Sequence, residues 1–93
     1  PNIGKYGMLR RTYLQQNKKV IFGAMQMKET LKDHLEEVDR QANEMMERLM
    51  SQMAKEQGVT EELKASDPMG WTQQMNSLKA QAEEILLAEL IYS

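Results

Sequence analysis

The chain has 93 residues but no cysteine, two prolines, one phenylalanine, one tryptophan and one histidine. Without cysteine, neither a disulfide framework nor a thiolate metal site can form. No apolar run approaches the roughly 18 residues that a membrane span needs, and the start has no apolar signal-peptide stretch, so a cytoplasmic protein without a membrane partner is expected. The first residue is Pro rather than Met, which implies processing or a longer parent chain. Chemistry is equally thinly provided for. With His34 as the single histidine, the common nucleophile-base pairs reduce to a Ser or Thr served by that one base, and no nucleophile-elbow sequence is present. His34 and Glu37 lie three apart, but in the reverse order of the Glu-x-x-His pair that di-iron bundles place on two helices. No glycine-rich phosphate loop occurs. The expectation is therefore a non-enzyme, with no catalytic residue, metal, cofactor or small-molecule substrate.

What is present is segregated charge. Lys5, Arg10, Arg11, Lys18, Lys19 and Lys28 stand in the first 28 residues with no acid among them, whereas Glu29 to Ser93 carries fourteen acids and six bases. The net charge of −2 thus joins a +6 end to a −8 body. Segregation of this kind speaks to partners and association rather than to fold. Nine methionines against one Phe and one Trp describe a core of flexible side chains, suited to adaptable contact surfaces. A domain of this size buries only roughly 60–65% of the surface its unfolded chain exposes, so oligomerisation would help it.

The periodicity is helical, and no stretch alternates long enough to read as a strand. Leu31, Leu35, Val38, Ala42, Met45 and Leu49 recur at spacings of four and three, and Met46, Met50 and Met53 widen the stripe to roughly 140° of the helical wheel. Thr30 and Asp33 have the form of a capping box and Gly58 that of a C′ residue, which together bound one long helix. Glu36 with Arg40 and Glu44 with Arg48 are i,i+4 pairs of the favourable order. Asp67-Pro68 opens a second long helix, with Trp71, Met75, Leu78, Ala82 and Ile85 as its stripe. Thr60 caps a short intervening helix. Two matching stripes on a short connection pack as an antiparallel hairpin.

Ahead of the hairpin, Tyr6, Leu9 and Tyr13 share one helical face and Arg11, Gln15 and Lys18 another. Val20, Ile21, Phe22, Met25 and Met27 form a denser apolar patch that reads as a short helix or turn docked on the hairpin. The expected fold is all-α, an antiparallel hairpin of two long helices with a short connecting helix and an N-terminal helical segment packed against it. It forms a single domain over 1–93, with a basic segment at 1–27, a long helix at 28–57, a short helix at 60–66 and a long helix at 68–92. The end of the last helix is apolar nearly all round, through Leu86, Leu87, Leu90, Ile91 and Tyr92, and needs cover from the N-terminal segment or a second copy. Glu89 falls on the core stripe and is expected to pair with a cation of the N-terminal segment.

Two kinds of contact surface follow. Arg10, Arg11, Lys18 and Lys19, interleaved with Tyr6 and Tyr13, are candidate phosphate-binding residues, the competing reading being that they neutralise the acidic helices of the same chain or a second copy. Gly58-Val59-Thr60 has the look of a helix-turn-helix turn, but the helix after it, Glu61 to Asp67, carries net −2 and is a poor groove reader. Met46, Met50, Met53, Leu87 and Ile91 are the candidate protein-interaction surface.

Ile3-Gly4 with Tyr6-Gly7, Asp39-Arg40-Gln41-Ala42, the block Gly58-Val59-Thr60-Glu61 through Leu63-Lys64-Ala65, then Trp71, Met75-Asn76, Ala82, Glu84-Ile85 and Glu89-Leu90-Ile91-Tyr92 follow one another in a specific order. In these residues, nearly end to end, the chain resembles the TnpV family, small transposon-encoded proteins of mobile elements in Gram-positive anaerobes. The resemblance implies an accessory gene product of a transposon and brings no established activity or catalytic residues. Longer members carry a Tyr-, Gly- and Leu-Pro-rich segment before the Ile-Gly start that is missing here, which implies a truncated or short variant. Members tend to have Gly in the turn where this chain has Glu29. The expected function is a non-enzymatic helical protein-protein interaction module acting as a homodimer or with another protein of the same element. The alternative is a DNA-associated helper of transposition or excision that binds phosphates through its basic segment.

Overall fold

The computed structural model describes residues 3–93, which are helical with no strand; the first two residues of the basic segment lie outside the described residues. Five α-helices follow in order, α1 (Lys5–Asn17), α2 (Lys19–Met27), α3 (Leu31–Glu56), α4 (Glu61–Ser66) and α5 (Pro68–Leu86), and the chain ends in a π turn over Leu87–Ile91. The long helices α3 and α5 pack on each other, and α1 lies across them at the end where α3 begins and α5 finishes.

Local chemistry sets the boundaries. Asp67 caps α5 by accepting the Gly70 amide at 3.0 Å, with Pro68 at the first helical position, where a missing N–H costs nothing. Thr60 caps α4 by accepting the Leu63 amide at 3.2 Å. The long helix α3 ends in a Schellman motif in which the Val59 amide donates to the Ala54 carbonyl at 2.8 Å and the Gly58 amide to Lys55 at 3.4 Å, Gly58 taking φ +71°.

The same motif closes α2, with a less suitable residue. The Thr30 amide donates to the Met25 carbonyl at 2.9 Å and the Glu29 amide to Gln26 at 3.2 Å, so Glu29 holds the left-handed position at φ +58°. This corrects the expected capping box. Thr30 belongs to the closure of α2, its hydroxyl turns toward the Met25 carbonyl, and it makes no side-chain cap on α3. The ion pairs on α3 also differ from the sequence pairing. Arg40 bridges Glu37 and Glu44, and Glu36 lies nearest Lys32 at 3.9 Å.

The core is drawn from one end of the molecule. Tyr6, Val38, Ala42, Leu86 and Ile91 form its centre, with Leu9, Met45, Met46, Leu87 and Leu90 packed around them. Leu14, Leu35 and Leu78 are fully or almost fully buried as well. The N-terminal segment therefore supplies the cover that the apolar C-terminus needs. Ile85, expected on the α5 stripe, is 40% exposed, and Leu86 takes its place. On the wheel these two residues flank the axis set by Leu78 and Ala82, and α1 lies on the Leu86 side. Beyond Leu86 the bonding widens to i→i+5, closing with the Tyr92 amide on the Leu87 carbonyl at 2.8 Å. That single wide turn brings Ile91 back to the core and turns Glu89 outward, where it makes no ion pair among the described residues. The expected pairing of Glu89 with a cation of the N-terminal segment is thus overturned; the cation of α1 that meets an acid of the C-terminal helix is Lys5, and it goes to Glu83.

The molecule measures 55 × 24 × 18 Å with a radius of gyration of 16.7 Å, against about 12 Å for a compact domain of this length. It is a rod with much surface for its core. Because a left-handed backbone costs a side-chain-bearing residue on the order of 1–2 kcal/mol, Glu29→Gly should stabilise the fold by about 1 kcal/mol in urea denaturation, after the greater flexibility of the unfolded glycine chain is allowed for. Unchanged or lowered stability would show that the turn carries no strain.

Candidate interaction surfaces

The basic N-terminal helix is fastened to its own chain at three places. At its start, the Gly7 amide donates to Asp39 Oδ1 at 2.9 Å. Gly7 stands where a Cβ would come 3.0 Å from the Leu35 carbonyl oxygen and collide with the Ile3 side chain, so any larger residue would need its neighbours to shift at this close approach of α1 to α3. Next to this joint, Lys5 Nζ and the Tyr6 hydroxyl both donate to Glu83 Oε2, at 3.0 and 2.9 Å. The Lys5 and Tyr6 hydrogen bonds hold the Glu83 carboxyl below its usual range. Burial, and then the hydrogen bond to Glu83, push the Tyr6 phenol up to about 12.

The third fastening uses Arg10, a candidate phosphate ligand. Its Nη1 donates to the carbonyls of Ile91 and Ser93 at 2.8 and 3.0 Å, its Nε donates to His34 Nε2 at 3.4 Å, and its guanidinium lies over the Tyr13 ring. Tyr13 in turn meets Tyr92, with ring centroids 5.5 Å apart. This is a C-terminal clasp, in which a cation satisfies carbonyls left open at a helix end. Burial, followed by the nearby Arg10 charge, lowers the His34 pKa, and the neutral imidazole accepts from Arg10. Arg11 lies over the Phe22 ring at 5.7 Å and ties α1 to α2. Lys18 and Lys19, at the corner between those helices, are exposed and form no ion pair among the described residues. The four candidate phosphate ligands are therefore not one set: two arginines are held by internal contacts and two lysines face solvent.

The expected apolar interaction surface divides in the same way. Ile91 is fully buried, because the π turn brings it into the core, and is corrected here from surface to core. Met46 and Leu87 pack against that core. Met50 lines an open groove of about 280 Å³ with Ala54, Val59, Trp71 and Met75 at the hairpin tip, and Met53 is half-buried.

Two apolar features were missed by the sequence reading. The first is the outer side of α2. Phe22 is its one buried residue, whereas Val20 and Met27 are 87% and 88% exposed and Ala24 and Ile21 are exposed too. The readable signal was that Val20, Ala24 and Met27 fall on the wheel opposite Phe22 and Met25, which makes α2 apolar on both sides. The second is a shallow, open groove of about 510 Å³ along the outer side of the C-terminal helix, lined by Gln81, Glu84, Ile85, Ala88 and Glu89. Among the described residues no group of three His, Asp or Glu side chains could hold a metal ion, and no helix is long and apolar enough to cross a membrane.

The described residues thus form an all-helical fold with a fastened basic helix and two outward apolar features. The chain belongs to the TnpV family, described as transposon-encoded protein TnpV, which it matches over residues 1–91. Comparisons with curated proteins and with solved structures give no match.

Two outcomes test the fastenings. Because His34 has a folded pKa below its unfolded value, the stability it contributes is present above about pH 6.5 and lost as pH falls through the folded value. Unfolding free energy should fall between pH 7 and 5 and do so less in His34→Gln; equal slopes would remove His34 from that window. Tyr6→Phe should cost about 1 kcal/mol at neutral pH by losing the Glu83 hydrogen bond. In the wild-type protein the phenol, raised in the folded state, contributes stability below pH 10 that is lost as pH rises through about 12, which ultraviolet titration would follow.

Proposed function

We propose that this protein is a non-enzymatic, cytoplasmic accessory of its transposon that works by protein-protein contact, with α2 as the docking element. The outer stripe of α2 carries the reading, since Val20 and Met27 are almost wholly in water on a helix that has only one buried residue. Covering large apolar side chains stabilises a contact by on the order of 1.5–3 kcal/mol each, whereas leaving them exposed gives the monomer nothing. The partner is a second copy or another protein encoded on the same element.

A DNA-associated role in transposition or excision is the second reading, and the free ammonium groups of Lys18 and Lys19 support it. Arg10 and Arg11 have internal partners, which leaves a short basic corner capable of few phosphate contacts and of binding that weakens steeply with salt.

The double substitution Val20→Ser/Met27→Ser should leave helicity intact and folding stability within about 0.5 kcal/mol, while abolishing association of the protein with itself or with other proteins of its element in pairwise co-purification. Association that persists undiminished would overturn the docking role of α2. Titration of a labelled duplex of transposon-end sequence at near-physiological salt separates the second reading. Sequence-specific binding that Lys18→Ala/Lys19→Ala loses and Val20→Ser/Met27→Ser keeps would replace it as the function.

A further inference from the structure

We infer that the occupant of the outer α2 face is a second copy of this chain, whose Ile85–Ala88 groove receives it; the inference rests on α2 being the docking element. The two surfaces match in three respects. Their apolar parts correspond, with Val20, Ala24 and Met27 on one side and the exposed Ile85 and Ala88 on the other. Their lengths correspond, because nine residues of α2 and the nine from Gln81 to Glu89 each span about 13 Å of helix. Their charges are opposite: Lys18, Lys19 and Lys28 stand at the two ends of α2, and Glu84 and Glu89 line the groove.

None of these five groups has an ion-pair partner among the described residues of its own chain. The competing self-contact, α2 against α2, would bring lysines together. α2 also cannot reach its own groove, since its other face is fixed by Phe22 packing and the Arg11 stack, and the π turn directs Glu89 away from the core. Each copy carries both surfaces, so two copies can exchange the same contact twice and close as a symmetric pair. The +6 segment and the −8 body then complement each other between chains, after the Lys5–Glu83 pair has used one charge of each within one.

Charge exchange supplies the test. One variant carries Lys18→Glu, Lys19→Glu and Lys28→Glu, and the other Glu84→Lys and Glu89→Lys. All five positions are exposed, and circular dichroism confirms that each variant folds. Wild type should show twice the 10.8 kDa chain mass in sedimentation or light scattering, with association weakening as salt is raised. Each variant alone should fall to the chain mass, because both of its contacts set like charges together. An equimolar mixture of the two should recover the doubled mass, because both contacts then join opposite charges. A wild-type monomer at up to about a hundred micromolar, a variant that keeps the doubled mass alone, or a mixture that stays monomeric each overturns the inference. If the mixture fails while Val20→Ser/Met27→Ser still abolishes association, α2 remains the docking element and only its receiving surface is wrong. Loss of both results removes the docking reading as well.

Discussion

Asp39 can receive the Gly7 amide only because α1 begins without side chains at Gly4 and Gly7, and this approach fixes where everything C-terminal to it must lie. Once the start of α1 is held against the first third of α3, Tyr6 falls over Val38 and Ala42 and its hydroxyl reaches Glu83 on α5. About one turn further on, Arg10 reaches the carbonyls of Ile91 and Ser93. The hairpin alone would be two stripes facing each other with an open apolar end. With α1 in place that end becomes the core. A side chain at Gly7 would press on the Leu35 carbonyl and the Ile3 side chain at this joint.

Much of this was legible because it is local. The caps at Thr60 and Asp67, the turn at Gly58, and the two long helices with their short connection follow from residue type and spacing. The illegible parts depend on contacts between distant segments. Ile85 and Leu86 stand almost symmetrically about the α5 stripe, and only the side on which α1 packs decides between them. Glu89 lies on that stripe if the helix continues straight; the π turn that removes it has no local signature in Leu87 to Ile91. The turn at Glu29 was hidden for the opposite reason. Its residue argues against a left-handed position, and two hydrogen bonds to the end of α2 hold it there nonetheless.

The candidate surfaces show the same division. A stripe of basic residues identifies a charged face, but charge alone does not tell a cation that faces solvent from one that closes its own fold. Arg10 differs from Lys18 because the last carbonyls of the chain arrive beside it, and those lie 81 and 83 residues away in sequence. A broad methionine stripe likewise marks a helix that buries one side, and Met46 is used for that purpose at the covered end of the hairpin. Toward the tip, where no α1 lies over it, the same stripe opens into the groove of Met50, Trp71 and Met75.

A helix that is apolar on two sides poses a problem that a thin fold cannot solve alone. α2 packs one face, that of Phe22 and Met25, against α1 and α3. Burying Val20 and Met27 as well would need another layer, and among the described residues the α4 connection lies elsewhere, against the far end of α5, with Lys64 over Trp71. In a rod 55 Å long the two are too far apart for one to cover the other. Nor are these large apolar residues needed for α2 to form, since alanine or lysine at the same positions favours a helix at least as well. Val20 and Met27 therefore add little to the free chain and would gain by being covered, which is the physical ground on which we propose the outer face of α2 for association rather than for stability.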